Sequence, residues 1–333
     1  MNNTIFYGMK VAVTGAAGFI GSHLVELLLS HGHTVVGIDN FEVGREANLP
    51  KSSRFNFLYC DVSTQTDLLS QAFKDVDTVY HLAARADIVP SIELPLRYYE
   101  VNVTGTLNVC RASHEAGVKS LVYAASSSCY GIPDCFPTTE LAEIRPQYPY
   151  ALTKRLGEEI VLHWGKVYGI RSLSLRFFNV YGTRARTSGT YGAVFGVFLA
   201  QKLANVPYTI VGDGTQTRDF TYVSDVVNAI VTVGFEGVGN SIYNIGSGNT
   251  VSINRIVELL GGQYIYIPKR PGEPDSTFAD ITKVISETSW RPEVSIEEGI
   301  NLMVSNIDYW RDAPIWNPDS IASATTSWFK YLS

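Results

Sequence analysis

Tyr150 and Lys154 stand four residues apart in Tyr150-Ala-Leu-Thr-Lys154, a spacing that places a phenol and an ammonium on one helical face. A phenol at its ordinary pKa of about 10 is a poor base at neutral pH. An adjacent ammonium stabilises the phenolate, which makes the pair a general base able to take a proton from an alcohol. Pro146 and Pro149 break the chain just ahead of the pair, as a helix start requires. The spacing alone also occurs on many solvent-facing helices, so a third group is needed. Leu121-Val-Tyr-Ala-Ala-Ser-Ser-Ser-Cys-Tyr-Gly131 supplies one, because an apolar strand there ends in three hydroxyls. Ser126 can hydrogen-bond the reacting oxygen; its other role would be to satisfy backbone groups at the strand end.

The elements that must position these groups begin at Val11-Ala-Val-Thr-Gly-Ala-Ala-Gly-Phe-Ile-Gly-Ser-His23, where Gly15, Gly18 and Gly21 form a G-x-x-G-x-x-G turn directly after an apolar strand. Gly15 permits the tight turn, Gly18 lets backbone N–H groups approach a pyrophosphate, and Gly21 lets the following helix pack closely on the sheet. A strand-to-helix turn without a ligand fits the same three glycines. Context favours the ligand. His33-Thr-Val-Val-Gly-Ile38 reads as the second strand and ends at Asp39-Asn40, where a carboxylate can accept both ribose hydroxyls of an adenosine. Asp39 favours NAD, since a 2′-phosphate would meet a like charge, while Arg45 is the nearby feature that points toward NADP. Asp39 also fits a plain turn ahead of Asn40.

Apolar runs at 10–14, 34–38, 55–59, 77–81, 119–124 and 171–177 alternate with helical patterns at 20–31, 64–73, 96–116 and 150–168. That alternation predicts an α/β fold, a Rossmann-type doubly wound parallel sheet with ligand across the carboxyl ends of its strands. Gly32, Gly117 and Gly169 fall near helix ends, where a left-handed residue is often required. After Tyr181-Gly182 the rhythm breaks into a Gly/Thr/Arg-rich loop reaching Tyr191, a helix at 192–205 and short strands with glycine turns, implying a smaller C-terminal α/β substrate lobe. Its helices are expected to include 224–235 and 252–261. The expected division is 1–178 and 179–333, with 221–250 returning to the first domain. The loop 268–275 leads to a C-terminal segment whose Trp290, Trp310, Trp316 and Trp328 read as packing residues. Beyond Pro314 and Pro318 an amphipathic stretch reads as a packed terminal helix.

With 333 residues, 45% apolar, the chain can bury a substantial core. A net charge of −6 without a long basic run excludes nucleic acid and anionic membranes as main partners. The start, Met1 to Lys10, is too short and polar for a signal peptide and no apolar run reaches transmembrane length, so a cytoplasmic protein is expected. Cys60, Cys110, Cys129 and Cys135 include no C-x-x-C pair, which suits reduced thiols better than zinc or a disulfide framework. No metal site is expected, and Cys129 reads as a filler beside the candidate site.

These features, together with His81-Leu-Ala-Ala84, Asn102-Val-Thr-Gly-Thr106, Arg176-Phe-Phe-Asn-Val-Tyr-Gly182, Gly212-Asp-Gly-Thr-Gln-Thr-Arg-Asp-Phe-Thr-Tyr-Val223 and Arg270-Pro-Gly-Glu273, resemble the extended short-chain dehydrogenase/reductase family. Within it the chain resembles the NAD-dependent nucleotide-sugar epimerase/dehydratase group, nearest its UDP-glucose 4-epimerase-like members. The resemblance spans nearly the whole length. It implies a catalytic set of Tyr150, Lys154 and Ser126. It also implies NAD held by Gly15, Gly18, Phe19, Ile20, Gly21, Asp39, Asn40, Asp61, Val62, Leu82, Ala83, Ala84, Asn102 and Phe177, with Tyr150 and Lys154 touching it too. Asn179, Arg218, Arg270 and Glu273 match positions that bind diphosphate or ribose, and Ser127 and Ser128 would surround the sugar. A guanidinium suits a phosphate and a carboxylate suits ribose hydroxyls; any of these arginines also fits a structural ion pair.

Related enzymes share a first step in which a phenolate takes the proton of a sugar hydroxyl while hydride moves to the nicotinamide. Dehydratases of the family then use an Asp-Glu pair, and decarboxylases a Glu, at positions occupied here by Ser127 and Ser128. Hydroxyls cannot replace a carboxylate proton carrier, so the resemblance favours C4 epimerisation of a UDP-sugar through a 4-keto intermediate, with glucose and galactose or their N-acetyl forms as sugars. UDP-glucuronate is the alternative substrate, with Arg85, Arg184 and Arg186 as candidate carboxylate partners. In such epimerases the position seven residues after the loop arginine limits bulk at C2; here it is the small Thr277, which implies tolerance of N-acetyl groups. An NAD-binding regulatory protein is the non-enzyme alternative, against which the retained Tyr150, Lys154 and Ser126 argue. In this family the helices matching 96–116 and 150–168 commonly meet their copies, so a homodimer is expected.

Overall fold

The computed structural model describes residues 8–185 and 193–332. Its first half alternates strand and helix: β1 (Lys10–Thr14), α1 (Phe19–Ser30), β2 (Thr34–Asp39), β3 (Phe55–Tyr59), α2 (Thr66–Ala72), β4 (Thr78–His81), α3 (Ile88–Glu93), α4 (Pro95–Tyr99), α5 (Gly105–Glu115), β5 (Ser120–Ser126), α6 (Pro149–Tyr168) and β6 (Arg171–Phe177). Beyond them run β7 (Asn179–Tyr181), α7 (Val194–Leu203), β8 (Tyr208–Val211), β9 (Thr217–Arg218), β10 (Phe220–Tyr222), α8 (Val223–Glu236) and β11 (Ser241–Ile245). The remainder comprises β12 (Val251–Ser252), α9 (Ile253–Leu260), β13 (Tyr264–Ile267), α10 (Thr282–Glu287), α11 (Ile296–Ser305), α12 (Pro318–Ala324) and α13 (Thr326–Tyr331).

Seven strands form one parallel sheet in the order β11-β6-β5-β4-β1-β2-β3. The central strands are apolar on both faces because helices cover both sides, which is why they read as continuous runs rather than alternating ones. Strand order reverses between β1 and β4, and a crevice opens there at the carboxyl ends. Helix α6 begins on Pro149, whose missing N–H costs nothing at the first turn, and ends at Gly169 with φ +75°. Gly32 and Gly117 take φ +85° and +71° at their helix ends.

Of the two placements expected for the helix at 224–235, the structure has the one in the returning segment 221–250 and not the one in the lobe: α8 packs on α1 and on β5 and β6, and it leads into β11, which pairs with β6. The stretch 96–116 is not one regular helix either, since a π-helical turn at Glu100–Thr104 separates α4 from α5. A Cβ at Gly105 would come within 2.9 Å of Val62, so the wide turn brings the chain close to the β3 exit. The lobe contains the small pairs β8–β13 and β9–β12 with α7, α9 and α11. Trp290 and Trp310 lie in the main core, and Trp316 packs against it.

Candidate active site

The crevice is floored by backbone. A Cβ on Gly21 would fall 2.0 Å from the Gly15 carbonyl oxygen, and one on Gly15, whose φ is +74°, would fall 2.8 Å from the Ala83 nitrogen. No side chain fits at either place, so the turn sits tightly between its own helix and the chain leaving β4. Asp39, at the end of β2, accepts hydrogen bonds from the Ala17 N–H (3.0 Å) and the Phe41 N–H (2.8 Å), which aim its carboxylate at the crevice while lone pairs remain for ribose hydroxyls. Burial raises its pKa, and the two N–H groups, with that of Asn40, oppose the rise. Asn40 donates to Asp61 (3.0 Å); burial pushes the Asp61 carboxyl up, but bonds from Ser63, Arg97 and Asn40 outweigh it and hold the pKa below its ordinary value. These donors and the glycine cradle fit a dinucleotide. Arg45 is absent from the crevice lining, and its guanidinium carbon lies 5.3 Å from the Tyr309 ring centroid.

Phe19, Ile20, Val62, Leu82, Ala83, Ala84, Lys154 and Phe177, which the resemblance implies for NAD, line the crevice together with Gly18 and Tyr150. Asn102 does not. Its amide accepts from the Arg85 N–H (2.8 Å) and donates to the Arg85 carbonyl (3.0 Å) and the Thr153 hydroxyl (3.0 Å). Thr153 in turn donates to the Tyr150 carbonyl (2.9 Å), so Asn102 ties the crevice wall to the helix that carries Tyr150.

A second cavity of about 430 Å³ adjoins the first, lined by Asn179, Arg218, Arg270 and Glu273 and by residues of α3 and α7. Tyr150 is the residue common to the linings of both. Its ring lies 6.4 Å from Tyr148, nearly parallel, and 6.4 Å from Tyr98 at 75°, which fixes the direction of the phenol. The Ser126 hydroxyl is near enough to lower the phenol's pKa, and it accepts from the Ser128 hydroxyl (2.9 Å) and N–H (3.2 Å).

Burial raises the Tyr150 pKa, and the Ser126 hydroxyl opposes the rise. Lys154 is itself buried, its ammonium 4.2 Å from the Tyr123 ring centroid, and burial brings its pKa down to about 7 against the pull of Glu158. Below it, Arg176 grips Glu158 through two bonds (3.0 and 2.6 Å), with Ser174 (2.7 Å) and Arg155 (2.5 Å) completing the carboxylate's shell.

Ser127 and Ser128 are not among the residues lining either cavity; Ser128 is engaged with Ser126 and Tyr148. Thr277 lies outside the cavity lining, its hydroxyl donating to the Asn179 side chain (2.7 Å), so it orients a lining residue. Of the candidate carboxylate partners, Arg85 pairs with Glu42 in the dinucleotide crevice and Arg184 pairs with Glu26 (2.6 Å), while Arg186 lies outside the described residues. Cys129 is buried, and its thiol is pushed up to about 12 by burial. Sequence reasoning missed Asp87, Tyr148 and Glu158. Glu158 stood four residues after Lys154 on the same helical face, a legible signal, whereas nothing local marks Asp87, which lines the second cavity with φ +84°.

A dinucleotide crevice joined to a second cavity through a half-buried tyrosine, with a serine beside it and a lysine one turn on, defines an extended short-chain dehydrogenase/reductase. Residues 11–246 match the NAD dependent epimerase/dehydratase family, and the chain belongs to it. It is 34% identical over 316 residues to the UDP-glucose 4-epimerase of Mycolicibacterium smegmatis, covering 91% of this chain and 99% of that one. Among solved structures it resembles a UDP-N-acetylglucosamine 4-epimerase from Methanobrevibacter ruminantium (TM-score 0.84, 30% identity, 90% of this chain and 99% of the other). It also resembles the UDP-glucuronic acid 4-epimerase of Bacillus cereus, solved with UDP-glucuronic acid and NAD (TM-score 0.83, 34% identity, 91% and 99%).

Proposed function

We propose that this chain catalyses the NAD-dependent epimerisation of a UDP-sugar at C4. The observation that carries the reading is the place of Tyr150, a half-buried phenol shared by the dinucleotide crevice and the adjoining cavity, with the Ser126 hydroxyl near enough to lower its pKa. Tyr150 takes the proton of the sugar 4-hydroxyl while Ser126 holds the same oxygen, giving a 4-keto sugar. NAD in the crevice supplies the acceptor for the C4 hydride and, once reduced, its donor. After the ketone has turned its other face, Tyr150 returns the proton, and no net oxidation results. Arg218 and Arg270 offer guanidinium groups to the diphosphate, and Glu273 offers a carboxylate to ribose hydroxyls. Glucose, galactose and their N-acetyl forms are the favoured sugars, with glucuronate as the alternative: among the described residues neither Arg85 nor Arg184 lines the cavity where a uronate carboxylate would need a partner, and Arg186 lies outside them.

The protein is further proposed to act as a cytoplasmic homodimer. Buried free thiols at Cys60, Cys110 and Cys129 suit a reducing compartment, and no described helix is long and apolar enough to cross a membrane. Leu107 on α5 and Val167 and Tyr168 on α6 are exposed apolar side chains on the helices expected to meet a second copy. The deciding experiment incubates purified protein with UDP-glucose, UDP-galactose, their N-acetyl forms and UDP-glucuronate, without added oxidant. A 4-epimer of unchanged mass is expected; a product lighter by water or carbon dioxide would replace epimerisation with dehydration or decarboxylation.

A further inference from the structure

Trp328 is buried, yet it belongs to none of the hydrophobic core clusters of the described residues, unlike Trp290 and Trp310. Its surroundings are those of the substrate cavity, which it lines beside Arg270 and Glu273. The indole N–H donates to the Pro271 carbonyl at 2.7 Å, and the Arg270 guanidinium carbon lies 5.3 Å from the ring centroid. Gly272, at φ +68°, lies so near the chain end that a Cβ there would be 3.2 Å from the Leu332 carbonyl oxygen. On its other side α13 packs on α3, with Ser327 donating to Glu93 at 2.9 Å, and α3 contributes Ile88 and Val89 to the same cavity. The C-terminal helix therefore joins the arginine loop to the opposite wall of the cleft.

We propose that Trp328 is a positioning residue of the nucleotide subsite: its indole holds Arg270 and the 270–273 loop in place to grip the substrate's diphosphate. This rests on the epimerase reading for the identity of the nucleotide. A guanidinium over an indole is attracted by the ring and keeps its N–H donors at its edge, available to phosphate oxygens. Without the ring, Arg270 keeps the Glu273 carboxylate at 3.9 Å but loses the indole face that orders it, and affinity falls by the cost of ordering it on binding. Because the diphosphate is gripped equally before and during the chemistry, the loss falls on KM and not on kcat.

The test measures UDP affinity by calorimetry and UDP-sugar kinetics on the NAD-loaded wild type, Trp328→Leu and Trp328→Phe. The leucine variant is expected to bind UDP about tenfold more weakly and to raise KM by a similar factor, with kcat within about twofold and bound NAD unchanged. Phenylalanine keeps a ring face and is expected to recover most of the affinity. If the leucine variant does not fold, Trp328→Met, which keeps bulk without the ring, carries the same expectation. UDP affinity within twofold of wild type in a folded ring-less variant overturns the proposal, as does a loss shared equally by kcat, NAD content and melting temperature. A wild type that binds UDP through Trp328 but turns over no UDP-sugar would overturn the epimerase reading and leave this inference standing.

Discussion

The dinucleotide crevice and the substrate cavity share a wall but are built in different ways. The crevice is assembled at successive strand ends, from the glycine turn after β1, Asp39 at the end of β2, Asp61 after β3 and the 82–86 segment after β4. Much of it is backbone, and sheet topology alone brings the pieces together. The cavity draws on α3, on Tyr148 before α6, on β7 and α7, on Arg218, on the 270–273 loop and on Trp328. No repeated motif or sheet register dictates that gathering. Parallel strand order therefore fixes where a cofactor binds, whereas substrate choice depends on how distant loops and the chain end pack over it.

Tyr150 belongs to both regions, so its loss gives the sharpest test of their separation. Tyr150→Phe is expected to lower turnover about 10³-fold or more, the scale of a general base, while NAD stays bound. Retained activity would remove the phenol from its role. Glu158 bears on the crevice from below. Glu158→Ala strips the partner from Arg176, whose side chain is 1% exposed, and is expected to cost about 3–5 kcal/mol in urea unfolding. Burial pushes the Glu158 carboxyl up, but Arg176 outweighs it and holds the folded pKa below the ordinary value. Its contribution is thus complete above the unfolded carboxyl's pKa and is lost as pH falls through the lowered folded one. A variant as stable as wild type at neutral pH and equally acid-sensitive would rule the pair out as a support.

The same division explains what could be read from the chain. The strands through β6, the glycine turn, Asp39 and the Tyr150, Lys154 and Ser126 set follow from local pattern, because each is a strand end or one helical face. Side-chain partners set by the fold are not legible in this way: Asn102 is engaged by the Arg85 backbone and Thr277 by Asn179, far off in sequence, and the Ser128 hydroxyl turns back on its near neighbour Ser126. The protonation of Tyr150 is non-local in the same sense: spacing shows an ammonium nearby, while the burial that raises the phenol's pKa depends on what packs around it, Tyr98 and Tyr148 included.

A smaller perturbation can be confined to the crevice. Gly21→Ala places a methyl where the Gly15 carbonyl oxygen already lies, so the turn must shift, at a cost of about 1–3 kcal/mol typical of overpacking. The expected result is loss of bound NAD with UDP affinity nearly unchanged. Parallel loss of UDP would mean that the two regions are one cooperative unit.

The smallest expected effect probes the cavity side of Tyr150. Asp87 sits at φ +84°, an uncommon and costly backbone state for a residue with a side chain, and its carboxylate adds to the burial that raises the phenol's pKa. Asp87→Asn keeps the shape and removes the charge, so the phenol should ionise more readily. A general base gains activity as it deprotonates, and a lower pKa therefore moves the rising limb of kcat/KM to lower pH. Asp134→Asn, in an exposed pair with Arg145, should leave the limb in place. A limb that does not move in the Asp87 variant, or moves to higher pH, would show that the cavity's carboxylate does not act on the phenol and that the crevice side alone sets its proton affinity.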